Sequence, residues 1–181
     1  MKRSTATLIC ISLILALAVG YAAKAPKQED TLTGSVADIL QALTDEANNI
    51  LPEDSKMLGT FNDPVTADNS ENATGLTAEE FDKYVEEAYT AQAMIITSAH
   101  QVSLIKCKDF AAAAEVKKLV ANFNTGKWIC VIPDKATAID SGTYVLLLVS
   151  SDEYTDAALA AFKTLAKDNT GEANTFYTKA A

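Results

Sequence analysis

His100 is the chain's only histidine, and Cys107 and Cys130 are the only cysteines outside its first ten residues. A Ser–His–acid arrangement for acyl transfer can be sketched from His100, Ser98 or Ser103 and one of the 24 carboxylates. No GxSxG elbow supports it, because Asp140-Ser141-Gly142 reads as a turn. The plainer reading is a histidine hydrogen-bonded at the start of a strand. His100, Cys107 and Cys130 are also zinc-type donors. However, His100 and Cys107 stand seven residues apart and would face opposite sides of one regular strand. Asp134, Asp140, Asp152, Glu153 and Asp156 offer oxygen ligands for calcium, but no EF-hand or repeat spacing groups them. Turns and helix caps account for them equally well.

With no GxGxxG and no Walker loop, no cofactor is expected, and no residue is assigned a catalytic, cofactor-binding or metal-binding role. Trp128 is read either as part of a recognition surface, where aromatics concentrate, or as core and rim packing. Cys107 and Cys130 lie on expected strands with their side chains inward. They are a candidate disulfide or a pair of buried thiols, and no CxxC argues for redox chemistry.

The elements that would position these residues centre on Tyr144-Val145-Leu146-Leu147-Leu148-Val149, an apolar run without alternation. A strand wet on one side alternates, so this one is expected to be central (143–149) and covered on both faces. Before it, helical spacing is read over 35–50, from Ser35 to the stop at Pro52, and over 77–89, opened by the Thr77-x-x-Glu80 capping box. The intervening 52–76 reads as a long loop. Gln101–Lys108 is expected to be a strand, and Asp109 to cap a helix to Ala121. Trp128–Ile132 and 136–140 are expected to be two further strands, with Asp140-Ser141-Gly142 turning into the central run. Ser151 then caps a helix to Lys167, and in the polar tail Phe176-Tyr177 is a candidate edge strand. The order implies a single α+β domain over 35–168, with a mostly antiparallel sheet of three to five strands. The helices at 109–121 and 152–167 are expected on one face and the early helices on the other.

Lys2 and Arg3 followed by uncharged residues through Ala23 form a signal-peptide pattern, with cleavage preferred after Ala22. A retained anchor is the alternative, and it is the only membrane contact expected. Residues 23–34 read as a flexible tether, and 169–181 as a polar tail. Loss of residues 1–22 removes two positive charges and no negative ones, moving the net charge from −9 to −11. So acidic a domain, with no basic patch, is not expected to bind nucleic acid.

Ala93–Asp109 (AMIITSAHQVSLIKCKD), Val116–Val120 (VKKLV), Lys127–Val131 (KWICV) and Ser141–Leu148 (SGTYVLLL) together carry a resemblance. Over roughly residues 35–165 the chain resembles the bacterial family catalogued as domain of unknown function 4358. The resemblance implies an envelope or secreted protein. Lipid anchoring, common in that family, lacks its cysteine here, since Cys10 lies inside the apolar stretch. The expected function is a non-catalytic extracytoplasmic domain that binds an envelope protein or peptide. The alternatives are a cell-envelope hydrolase using His100 and a self-associating accessory subunit.

Overall fold

The computed structural model describes residues 29–94 and 98–180. The expected signal segment therefore lies outside the described residues, and no described helix is long and apolar enough to cross a membrane. In chain order the elements are α1 (Val36–Ile50), β1 (Thr60–Pro64), α2 (Ser70–Thr74), α3 (Ala78–Tyr84), β2 (Val85–Ala93) and β3 (Gln101–Cys107). They continue with α4 (Phe110–Leu119), β4 (Lys135–Ser141), β5 (Tyr144–Ser150), α5 (Asp152–Leu165) and β6 (Asn174–Thr178). Helices pack on one antiparallel sheet, an α+β arrangement. The sheet has six strands in the order β1-β2-β3-β5-β4-β6, not three to five.

β5 is the spine. Every one of its seven residues is buried, and both of its edges are hydrogen-bonded, to β3 and β4. Leu146 and Leu148 join Val102, Leu104 and Ile139 beneath α1 and α5. Val145, Leu147 and Val149 join Ile105, Ala136 and Ala138 beneath α4. Cover on both faces is thus observed, but with the helices redistributed. The first and last helices share a face, and α4 lies on the other. Residue parity explains the split, because alternate side chains of one strand must point to opposite layers.

The caps form where their residue types dictate. Ser35, Asp109 and Ser151 each accept a hydrogen bond from the backbone amide three residues on, at Asp38, Ala112 and Tyr154. Thr77 and Glu80 form a reciprocal capping box. The β4–β5 hairpin turns at Gly142, whose φ of +59° and tight contact with the Glu29 and Asp30 backbone exclude a side chain.

Several expectations are corrected. The helix expected over 77–89 ends at Tyr84, and Val85–Ala93 is a strand paired along β3. The expected loop at 52–76 contains edge strand β1 and the short helix α2. Of the expected tether, residues 29–34 are held against the domain. Asp30 accepts from the Thr143 amide at 2.7 Å, Thr31 donates to the Ala166 carbonyl at 2.9 Å, and Leu32 is buried. The edge strand expected at Phe176-Tyr177 does form, as β6, hydrogen-bonded to β4. Trp128–Ile132, read as a strand, is not one.

Candidate functional site

His100 precedes β3 and meets Ser150 at the end of β5, because the β3–β5 register sets Gln101 against Val149. Its Nδ1 lies 2.9 Å from Ser150 Oγ. Its ring meets the Tyr154 ring edge to face, with centroids 4.5 Å apart. His100 is 1% exposed, and burial pushes its pKa from 6.5 down to about 4. Among the described residues, His100 Nε2 and the Tyr154 hydroxyl have no hydrogen-bond partner. Buried between Ser150 and the Tyr154 ring, this serine–histidine pair packs into the core. Ser98 and Ser103, the serines considered from sequence, are elsewhere. Ser98 Oγ lies 3.9 Å from Met57 Sδ, and Ser103 Oγ donates to the Ala73 carbonyl at 2.7 Å. Ser150 was identifiable only from strand register.

The cysteines are both free, Cys107 buried and Cys130 exposed. This corrects both the candidate disulfide and the alternative of two buried thiols. Burial, with the nearby Asp109 charge, pushes the Cys107 thiol up to about 12, which keeps it inert. The three zinc-type donors are not assembled. His100 packs on Tyr154 in the α1–α5 layer, Cys107 faces the α4 layer, and Cys130 is at the surface.

The acidic residues are dispersed among ion pairs and side-chain hydrogen bonds. Asp140 pairs with Lys117 at 2.5 Å, Asp134 with Lys179 at 3.6 Å, and Asp152 and Asp156 share Lys135 at 3.3 and 3.1 Å. Glu153 accepts from Ser55 Oγ at 2.6 Å. Two shallow clefts bring no histidine or cysteine together. One, of about 330 Å³, is bordered by Leu32, Asp38, Ile39 and Lys167. The other, of about 340 Å³, is bordered by Glu79, Lys83, Tyr84 and Glu115.

The remaining candidate, Trp128, leads to a different kind of site. Phe123 is buried and Trp128 half-buried, their ring centroids 6.2 Å apart. The Lys127 ammonium lies 4.9 Å from the Trp128 centroid and 5.0 Å from that of Phe123. It donates to the Asn72 carbonyl at 2.9 Å and to the buried Gln101 side chain. Burial lowers its pKa to about 8. This anchor fixes one end of a five-residue span, and buried Pro133 with the Asp134 amide, donating to the Ser150 carbonyl at 3.0 Å, fixes the other.

Between the anchors, Trp128-Ile129-Cys130-Val131-Ile132 crosses the surface. Ile129 is 93% exposed and Ile132 49%. Among the described residues, none of the five backbone amides or carbonyls makes a hydrogen bond. Aromatic and β-branched residues favour strands because they pack on a pleated surface. Here they have neither surface nor ladder. The arrangement can dock an extended chain through backbone pairing and apolar contact.

No protein-family model, curated protein or solved structure matches this chain.

Proposed function

We propose that the protein is a non-catalytic, exported bacterial domain of the domain-of-unknown-function-4358 type, which binds a protein partner in the cell envelope through Trp128–Ile132. The observation that carries the reading is Ile129, 93% exposed within five consecutive apolar residues whose backbone is unpaired among the described residues. Large apolar side chains gathered at a surface mark interaction sites more often than isolated ones do. Strand addition is the recognition mode that uses free backbone groups together with alternate side chains. The His100 alternative loses its support from burial, since the imidazole is 1% exposed and faces Ser150 and Tyr154.

The test is capture from envelope extracts with the full chain, compared with Ile129→Asp/Ile132→Asp. A protein retained by the wild type and lost by the variant is the expected result. Identical retention by both would remove the reading.

A further inference from the structure

The same segment points to its own occupant. The following inference rests on the docking reading above and names the partner. We propose that Trp128–Ile132 pairs with the same five residues of a second copy, as antiparallel strands about a two-fold axis through Cys130.

The first support is self-complementarity. A two-fold axis at the middle residue sets Ile129 opposite Val131 of the second copy and Trp128 opposite its Ile132. Every facing pair is then apolar and of a type that stabilises cross-strand contact. An isologous interface requires that one patch complement itself, and this apolar run does so. A slip of one residue moves the two-fold axis to between Cys130 and Val131, setting Ile129 against Ile132 and Cys130 against Val131, so the cysteines distinguish the two registers.

Charge supports the same antiparallel direction. The segment begins with Lys127 and ends at Asp134. With the axis at Cys130, Lys127 of one copy faces Pro133 of the other, one residue from its Asp134, whereas parallel pairing would align like charges. Among the described residues Lys127 has no carboxylate partner, and Asp134 is held only loosely, at 3.6 Å from Lys179.

The third support is the backbone. The backbone groups of Trp128–Ile132 make no hydrogen bond among the described residues, and β3 and β4, which the segment adjoins, are already hydrogen-bonded along both edges. Another chain supplies the missing ladder.

Directly opposed residues of antiparallel strands have Cα atoms about 4.5–5.5 Å apart, inside the roughly 4.4–6.8 Å that a disulfide spans. The exposed Cys130 thiols would therefore face one another. A small-molecule disulfide such as oxidised glutathione would join them by thiol–disulfide exchange. One Cys130 thiolate attacks the glutathione disulfide and displaces a glutathione thiolate, and the second copy's Cys130 thiolate then attacks the Cys130 sulfur of that mixed disulfide and displaces the remaining glutathione as its thiolate. Two thiols are oxidised to one disulfide, and one glutathione disulfide is reduced to two thiols.

The test uses the full chain in non-ionic detergent, so that the apolar residues 8–19 do not drive association. Sedimentation is expected to show a dimer for the wild type and for Cys130→Ser, and a monomer for Ile129→Asp/Ile132→Asp. Oxidised glutathione should give a covalent dimer from the wild type. Cys130→Ser/Ile129→Cys should lose that product although its new thiol is equally accessible, because positions 129 of the two copies do not face one another. Covalent dimer formed equally by both variants, or a monomer throughout the concentration range, overturns the pairing. If the wild type is monomeric but still captures another envelope protein through Ile129 and Ile132, the docking reading stands and only the second copy is wrong. If the aspartate substitutions change neither mass nor capture, both fall.

Discussion

His100 and the Trp128–Ile132 segment sit at the same end of the sheet, one sealed and the other bare. The starts of β3 and β4 and the end of β5 meet there. His100 has the more versatile chemistry, yet it is 1% exposed, bonded to Ser150 and faced by Tyr154. Ile129 has no polar chemistry and is 93% exposed. The difference teaches that reactive residue type is a poor guide to function in this chain. The imidazole is part of what closes the core, while the apolar loop is what the core leaves over.

The contrast can be broken most severely with the two cysteines. In the native protein Cys130 should react with a thiol reagent at nearly the rate of a free peptide. Cys107 should react only through opening of the sheet, at least about a thousandfold more slowly for an ordinary domain stability. Comparable rates, followed by mass spectrometry, would mean that the α4 layer is not closed.

Truncating the spine comes next. Leu146→Ala should destabilise the domain by about 3 kcal/mol in urea unfolding, since it removes a fully buried side chain between two packed layers. A loss below about 1 kcal/mol would indicate that the face under α1 and α5 is loosely packed.

His100 gives an effect of similar size with a defined pH window. Above 6.5 the imidazole is neutral in both states. As pH falls, the unfolded chain takes up a proton near 6.5, while the folded chain does so only near 4. Stability should therefore fall between those values by about 3 kcal/mol and then level off. Subtracting the profile of His100→Asn, which keeps a polar group near Ser150, isolates this contribution from the carboxylates. Superimposable profiles would show that His100 is not buried.

The smallest effect belongs to the bare segment. Ile129→Asp/Ile132→Asp should change the unfolding free energy of the isolated chain by no more than about 0.5 kcal/mol, yet abolish association. A large stability loss would place those side chains in the core.

Much of the frame was legible because local chemistry and tertiary context agree. The unbroken run at 144–149, the caps Ser35, Thr77, Asp109 and Ser151, and the turn at Gly142 each state their structure in their residue types. β2 was misread because VEEAYTAQA is rich in helix formers. Pairing with β3 overrides that weak preference, and a bulge between Val85 and Glu87 disturbs the alternation. β1 was missed because an edge strand with four exposed residues shows no period-two apolar pattern.

The error at 128–132 is of the opposite kind. The strand preference there is strong, but β3 is already flanked by β2 and β5, and β4 by β5 and β6. The open edges of the sheet are those of β1 and β6, and the segment pairs with neither. Propensity specified a strand, and topology withheld the partner. The candidate site was therefore hidden in sequence, visible only as an expectation that the fold does not fulfil.

Amide hydrogen exchange of the full chain, diluted until monomeric, tests this contrast most directly. The amides of Ile129–Ile132 should exchange at close to the unstructured rate, while those of Tyr144–Ser150 should be among the slowest in the molecule. Protection of residues 129–132 comparable to that of 144–150 in the monomer would show that the segment is already paired within its own chain, and the proposed docking surface would not exist.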